Sequence, residues 1–318
     1  MTKALLLRIL FNGTTAIGVV FEKNLIPYTV MATKEVILSA GALNTPQILM
    51  LSGIGPRSHL ESLGIPVLLE LPVGNNLKNH FYSPILAKLN YPSLFYGVPS
   101  LTIPHLSELY FEKSGILTES TFLMAYLSTS DRVDQNWPNF QNIYIMQNDS
   151  ILTGPALMRP RSSGTVRLYS NSPYIPPRID CGYLKDPADR QDAIDGLKFA
   201  FYVYEMSSMA QYVTLPTFES VGCPSCPGLR QYQCDFGLSC YINVTIASYY
   251  HPVGTCRMGS VDRDDVVVDP LLQVKKCQRL RVCDASIFPN IPNANTNSAA
   301  TMVGEYCSFM IKNKYKIK

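Results

Sequence analysis

Two apolar segments open the chain, at 4–11 and 16–21, and Asn12-Gly13 joins them. Segments of this length on either side of Asn-Gly predict a β-hairpin, because these two residue types adopt the positive φ angles that a tight hairpin turn requires. The first secondary structure expected is therefore an antiparallel strand pair.

A strand followed by a helix is predicted next. The apolar run 35–41 ends at a glycine and indicates a short buried strand. Thr45-Pro46 then indicates the start of a helix, with Thr45 as its N-cap and Pro46 at its first position. We expect this helix to cover 47–51 and to end at 52–56, where two glycines and a proline interrupt it.

The middle of the chain has a different pattern. Apolar residues alternate with polar ones at 140–146 and 164–168, which predicts strands of an antiparallel sheet with one covered face. Between about 188 and 206 they recur instead at three- and four-residue steps, which predicts one helix beginning after Asp186-Pro187. A change in composition places a domain boundary near residue 80.

Charge and hydropathy exclude two classes of partner. Lys and Arg together number 27 against 24 Asp and Glu, a net charge of +3, so the basic surface needed for nucleic acid is not expected. Arg8 interrupts the first apolar stretch, and no apolar run of about eighteen residues occurs, so neither a signal peptide nor a membrane span is predicted.

Five of the nine cysteines lie between Cys223 and Cys256. Cys223 and Cys226 have the C-x2-C spacing of zinc sites, but Cys234 and Cys240 are spaced too widely for the second half of such a site. A zinc site, local disulfides and free thiols therefore all remain open. Three N-x-S/T sequons would be glycan acceptors in a secreted protein. They begin at Asn12, Asn148 and Asn243.

Of the four histidines, His251 has the most site-like surroundings. Pro252, Gly254 and Thr255 follow it, and small residues of this kind allow a ligand to approach the backbone. Further on, the polar run 295–298 leads directly into an apolar helix predicted at 299–311. The N-terminus of that helix offers N–H groups and a positive dipole end to an electron-rich ligand.

Several of these segments, taken together and in order, resemble the glucose-methanol-choline family of flavin oxidoreductases. The resemblance spans essentially the whole chain and is closest to the insect glucose-dehydrogenase-like branch. It rests on residues 36–56, which resemble the family's second signature, and on 71–77, 159–166, 251–256, 268–270, 280–286 and 295–297.

The resemblance implies an FAD-dependent oxidation of a small-molecule alcohol or sugar, in which a hydride passes to N5 of the flavin. His251 would take the hydroxyl proton, and Asn295 would complete the catalytic site. The resemblance also implies these cofactor-binding residues: Ala40, Gly41, Tyr250, Asp284, Ala285, Thr296 and Asn297. No metal is implied.

Simpler structural roles are predicted for some of the same residues. Apolar residues of 48–50 are expected in the core, Cys256 and Cys283 are expected to be buried thiols, and Asp284 is expected to cap the turn before Ile287. The family commonly has an acid at the position of Asn79, so a hydrogen bond is expected to differ there.

One expected element is absent from the sequence. The family begins with a strand, a G-x-G-x-x-G turn and a helix that binds the FAD pyrophosphate, and this chain has no such motif. The glycines at 53–55 follow a helix and precede a proline, so they do not qualify. The expected fold is α+β, an incomplete FAD-binding α/β domain with an antiparallel-sheet substrate domain. Residues 1–80 and 246–318 form the first, and 81–245 the second.

Two functional hypotheses remain open, with a zinc-binding module at Cys223–Cys240 as a third. The chain is a fragment of an FAD-dependent alcohol or sugar dehydrogenase or oxidase, or it is a short relative that has lost catalysis and acts as a binding protein. The cellular compartment stays open. If the chain is a fragment that lacks the amino-terminal half of a family member, and a signal peptide lies in that half, an extracellular location is expected.

Overall fold

The computed structural model describes residues 2–91, 102–118, 122–128, 136–147 and 149–317. The chain forms two compact units. The first comprises Met1–Asn79, Ser162–Tyr183 and Tyr250–Lys318, and the second comprises His80–Arg161 and Leu184–Tyr249. Helices and antiparallel sheets are both present, which confirms the predicted α+β class.

The elements are numbered in chain order. The strands are β1 (Leu5–Asn12), β2 (Thr15–Lys23), β3 (Ile26–Met31), β4 (Val36–Leu38), β5 (Ile54–Gly55), β6 (Leu69–Glu70), β7 (Phe81–Tyr82), β8 (Ile85–Leu89), β9 (Phe122–Leu127), β10 (Phe140–Met146), β11 (Ser150–Leu157), β12 (Thr165–Arg167), β13 (Arg178–Asp180), β14 (Val213–Thr214), β15 (Ala247–Ser248) and β16 (Leu280–Val282). The α-helices are α1 (Gly41–Leu51), α2 (Arg57–Ser62), α3 (Ile103–Ser107), α4 (Pro187–Met206), α5 (Asp235–Thr245) and α6 (Asn297–Tyr315).

The first unit begins with the predicted hairpin. Strands β1 and β2 pair antiparallel with Asn12 opposite Thr15, and Gly13 has a φ of 56°, as the Asn-Gly turn requires. Strand β3 extends this sheet on the other side of β2. The sequon at Asn12 is exposed at the hairpin turn.

Strands β4 and β16 of this unit pair in parallel. Its core contains Leu49 and Met50 of α1 together with Leu280 and Val282 of β16, none of which is exposed to solvent. The prediction that the apolar residues of 48–50 are core residues is therefore confirmed.

Helix α1 begins at Gly41, five residues before the predicted first position, Pro46. Thr45 is not the N-cap but lies inside the helix, and so does Pro46. Proline has no N–H to donate to the carbonyl four residues before it, which here belongs to Ala42. The Thr255 hydroxyl donates to that carbonyl instead, at 2.6 Å. A distant side chain thus supplies the missing hydrogen bond, which local sequence rules do not anticipate.

The second unit contains a seven-stranded antiparallel sheet. Its main path runs β14-β8-β11-β10-β9, and β7 pairs with both β11 and β15. Helix α4 packs on β11 and begins where predicted, with the Asp186 carboxylate accepting the Ala188 N–H at 2.8 Å. Gly196 of α4 lies directly against the Phe140 ring of β10, which explains a glycine at a helix interior position.

Residues 162–183 differ from the predicted domain organisation. The strand expected at 164–168 is present as β12, but it pairs with β13 and belongs to the first unit rather than to the large sheet. Backbone hydrogen bonds explain this placement, because Gly164 and Leu77 exchange both of their N–H···O bonds, and Val166 N–H donates to Gly74.

Six cysteines form disulfides. Cys223 pairs with Cys240 and Cys226 pairs with Cys234, so the zinc alternative is wrong, since these sulfurs are already bonded to one another. The described residues contain no cluster of three or more His, Cys, Asp or Glu side chains able to hold a metal ion.

The prediction for Cys283 as a thiol is also wrong. Cys283 forms a disulfide with Cys307 and so ties the end of β16 to α6. Their separation in the sequence gave no local spacing signal for this pairing. Cys256 is a buried free thiol, as predicted, and burial followed by the nearby Asp284 carboxylate raises its pKa. Among the helices that the structure describes, none is both long enough and apolar enough to cross a membrane.

Candidate active site

The candidate site begins at the carboxyl end of the β4–β16 pair. Because both strands run in the same direction, their carboxyl ends lie side by side, which is where open α/β sheets bind ligands. Ser39 and Ala40 follow β4, and Cys283 and Asp284 follow β16. The Ser39 hydroxyl donates to the Cys283 carbonyl at 3.1 Å, so the two chain segments remain paired beyond the strands.

Asp284 connects three parts of this site. Its carboxylate accepts the Gly41 N–H at 2.9 Å and the Thr45 hydroxyl at 2.6 Å, and also the Ser286 N–H at 2.8 Å. The last bond caps the short 3₁₀ turn Ala285–Ile287, as predicted. Asp284 therefore fixes the N-terminus of α1 against this turn. Asp284 is 9% exposed and its carboxylate already accepts three hydrogen bonds, so any contact that this segment makes with a ligand is expected to come from backbone groups.

The His251 loop is hydrogen-bonded to the same turn. Gly254 N–H donates to Ala285 O at 3.1 Å, and Cys256 N–H donates to Ser286 O at 2.7 Å. The loop begins with Tyr250, which has a φ of 60° and is 88% exposed. The turn Ala285–Ile287 is thus shared by the His251 loop and by Asp284.

The His251 side chain is half-buried in the first unit. Burial disfavours the charged imidazolium and lowers the pKa of His251 below its ordinary value of 6.5. At neutral pH the imidazole is therefore uncharged and has a nitrogen lone pair able to accept a proton. This is the protonation state that a general base requires.

Asn295 precedes the other helix of the site. It is exposed and lies just before α6, which packs against the turn Ala285–Ile287. The N-terminus of α6 has no side-chain cap and no acidic residue in its first turn. Its first N–H groups can therefore hydrogen-bond to a ligand. The helix is longer than the predicted 299–311 at both ends.

The predicted site residues largely remain accessible. Four of them are exposed: Ala40, Tyr250, Asn295 and Asn297. Four others are half-buried: Gly41, His251, Ala285 and Thr296. An added Cβ at Gly41, which has a φ of 83°, would meet nothing within 4 Å. The open space at Gly41 and the uncapped N-terminus of α6 fit an electron-rich cofactor such as a flavin. The individual roles assigned to these residues remain predictions.

Sequence reasoning missed the residues that hold the site in shape. Thr45 and Thr255 act through hydrogen bonds to Asp284 and Ala42, across more than 200 residues of sequence. Asn79, which stood out only as a departure from the family pattern, accepts the His251 N–H at 2.9 Å. The sequence indicated Thr45 only as a helix N-cap and Thr255 only as a small residue after His251, and neither role predicted these hydrogen bonds.

Comparison with known proteins finds relatives that are named as dehydrogenases and, in one case, as a synthase. The alcohol dehydrogenase [acceptor] of Pseudomonas putida is 33% identical, and the match covers 99% of this chain and 58% of that protein. An oxygen-dependent choline dehydrogenase of Chromohalobacter salexigens is also 33% identical, over 93% of this chain and 53% of its own length. Versicolorin B synthase of Aspergillus parasiticus is 35% identical, over 91% and 48%. The chain spans about half the length of these relatives.

The family follows from two further matches. Residues 1–82 match the amino-terminal model of the GMC oxidoreductases, and residues 160–304 match the carboxy-terminal one. The chain belongs to the GMC oxidoreductase family, whose members are FAD-binding flavoproteins. A structure of Aspergillus oryzae RIB40 formate oxidase shares the fold, with a TM-score of 0.83 and 24% identity over 98% of this chain and 60% of its own.

Proposed function

We propose that this chain carries the acid–base part of an FAD-dependent oxidoreductase that acts on the CH–OH group of an alcohol or sugar. His251 accepts the hydroxyl proton, and Asn295 hydrogen-bonds to the same oxygen and orients it. When bound, FAD supplies the acceptor for the hydride from the carbinol carbon. The observation that carries the proposal is the half-buried, uncharged imidazole of His251 on a loop hydrogen-bonded to the turn after β16.

The residues of the site have different roles in this proposal. The imidazole takes the proton, since its lowered pKa keeps it in the basic form at neutral pH. Ala40, Gly41, Asp284 and Ala285 hold the cofactor at the end of the parallel strand pair, largely through backbone groups. Thr296, Asn297 and Tyr250 complete the cofactor site. The N-terminus of α6, with its N–H groups and positive dipole end, would hold an electron-rich part of the bound cofactor.

We propose that a longer polypeptide completes this site. Among the residues that the structure describes, β4 and β16 form a parallel sheet of two strands, whereas parallel sheets are normally larger and covered on both faces. Ile37, in the middle of β4, is 44% exposed. Met302, Tyr306 and Phe309 also form an exposed apolar stripe along α6. The length of the relatives supports the same proposal, in which the chain is a fragment of the enzyme.

A second candidate follows from the same difference in length. A chain of this length can be a catalytically inactive relative that binds a ligand through the second unit. The name of versicolorin B synthase shows that not every similar protein is described as a dehydrogenase or oxidase. The narrower proposal is that the enzyme belongs to the insect glucose-dehydrogenase-like branch and that its substrate is a sugar.

FAD binding and reduction by substrate separate these candidates. The chain is expressed, mixed with FAD and examined for a bound flavin spectrum, then mixed anaerobically with a panel of primary alcohols, choline and sugars. If FAD does not bind, the upstream coding sequence of the same gene is joined and the assay repeated. Reduction of the flavin by one of these compounds supports the enzyme. Flavin binding without reduction by any of them supports the inactive relative.

An extracytoplasmic location is proposed on separate grounds. Disulfides persist in oxidising compartments, and this chain has three. The Asn12 sequon is exposed at the hairpin turn, whereas the Asn243 amide oxygen accepts a hydrogen bond from Arg190, and Asn148 lies outside the described residues. Mass spectrometry of the protein from its source, without reduction and before and after glycosidase treatment, tests this proposal. Free thiols throughout and an unmodified Asn12 would contradict it.

A further inference from the structure

Asn79 links His251 to a tyrosine in the first unit. Its side chain is buried, and both ends of the amide are used. The amide oxygen accepts the backbone N–H of His251 at 2.9 Å, and the amide nitrogen donates to the Tyr183 hydroxyl at 2.7 Å. This arrangement needs one acceptor and one donor on the same side chain, which an amide provides.

The bond from Asn79 lies at a critical point of the His251 loop. Lys78 and Val253 exchange both of their N–H···O bonds, at 3.0 and 2.9 Å, two residues beyond His251. Tyr250, on the other side of His251, has a left-handed backbone conformation that is unfavourable for a non-glycine residue. The Asn79 amide therefore holds the backbone of His251 between a paired residue and an unfavourable one.

The chemistry of the side chain at position 79 also matters. A carboxylate here could accept the His251 N–H equally well, but it would place a negative charge beside the histidine. Nearby negative charge favours the imidazolium and raises the pKa of a histidine. With the neutral amide in place, burial lowers the His251 pKa.

Other ionisable residues on the segments near this loop include Lys78, Tyr183 and Asp284. Lys78 contributes its backbone to the pairing, and Tyr183 is the acceptor for the Asn79 amide. The Asp284 carboxylate is hydrogen-bonded to Gly41 and Thr45 as well as to its own turn. At position 79, an acid in place of the amide would put a negative charge next to the His251 backbone.

We propose that Asn79 is a positioning residue for the base His251: its amide oxygen fixes the backbone of His251, and its neutrality keeps negative charge away from the imidazole. This inference rests on the proposed function, because it treats His251 as the base. Its test nevertheless needs neither cofactor nor turnover, so the two can fail separately.

The test is a pH titration of the four histidines by NMR in the 318-residue chain labelled at the histidine rings. The His251 signal is identified by its loss in His251→Gln. In Asn79→Asp the pKa of His251 is expected to rise by about one pH unit or more. Asn171→Asp makes the same change at an exposed amide of the same unit and is expected to leave His251 unchanged. An equal His251 pKa in both variants would overturn the proposal.

A second readout tests the positioning role and does not depend on charge. In Asn79→Ala, hydrogen exchange of the His251 amide is expected to accelerate on the order of 10-fold, since one hydrogen bond is lost. Unchanged exchange would overturn the proposal. If both Asn79 variants fail to fold, Tyr183→Phe removes the hydroxyl to which the Asn79 amide donates at 2.7 Å, and unchanged exchange at His251 in that variant would count equally against the proposal.

The outcomes also separate this inference from the proposed function. If the NMR and exchange results are as expected but His251→Gln does not slow flavin reduction, Asn79 positions a histidine that is not the base, and the proposed function fails. If His251→Gln abolishes reduction but Asn79→Asp leaves the His251 pKa unchanged, the proposed function stands and the inference about Asn79 fails.

Discussion

Asp284→Asn tests whether one carboxylate holds the candidate site together. The substitution preserves the shape of the side chain but replaces one of its two oxygens with an NH₂ group. One oxygen accepts from Gly41 and Thr45, and the other accepts from Ser286. In either orientation of the new amide, at least one backbone N–H therefore faces another donor.

The size of the effect follows from these three bonds. A buried N–H left without an acceptor costs about 1–3 kcal/mol. The bonds that survive change from charge-assisted to neutral and lose about half of their strength, roughly another 1 kcal/mol in total. We expect the junction between α1 and the turn Ala285–Ile287 to lose about 3 kcal/mol, equivalent to on the order of 100-fold in an opening equilibrium.

Hydrogen exchange measured by mass spectrometry on peptides covering β4 and α1 is the suitable assay, because it reports local opening. Asp269→Asn is the matched control: the Asp269 carboxylate also accepts two backbone N–H groups, from Leu271 and Gln273, in a turn of the same unit. Exchange in α1 should accelerate strongly in Asp284→Asn and not in the control. Unchanged exchange in α1, or an equal change in both variants, would refute the reasoning.

Three further predictions concern other parts of the chain. His59 Nε2 accepts the Leu168 N–H at 3.0 Å, and burial, followed by the charge of Arg167, lowers the His59 pKa. The unfolded chain therefore binds the proton more readily, so the stability of the protein falls as the pH drops below about 6.5. The variant His59→Gln should flatten this part of a pH series of urea melts. Gly196→Ala should cost about 1–3 kcal/mol in the same urea melts, because the added methyl meets the ring of Phe140; an unchanged midpoint would contradict the close packing. Reducing the Cys283 disulfide should accelerate exchange at the start of α6, and equal exchange with and without reductant would show that this link is not needed.

Local sequence signals predicted the elements that depend on neighbouring residues. The Asn12-Gly13 hairpin, strand β10 and helix α4 all appear where their own turn and periodicity signals indicated. Helix α1 shows the limit of this reasoning. Its start depends on Asp284 and Thr255, and neither could be connected to it by reading the sequence locally.

The candidate site shows the same division. The family resemblance directed attention to His251 and Asp284; of the bonds that hold them, the sequence predicted only the Asp284 cap of the turn before Ile287 and a difference at Asn79. The Cys283 disulfide and the amide at Asn79 depend on contacts between segments far apart in the sequence. Residues 162–183 fall in the first unit for the same reason, since their pairing partners lie near residues 74–77.

The central claim is that His251 takes the hydroxyl proton in an FAD-dependent oxidation. The most direct measurement is the rate of anaerobic flavin reduction by a reactive alcohol, compared between the wild-type protein and His251→Gln, each with its bound FAD quantified beforehand. The account predicts equal FAD content and a rate lowered by about 10²–10⁴-fold in the variant. A reduction rate close to that of the wild type, with equal FAD content, would contradict it.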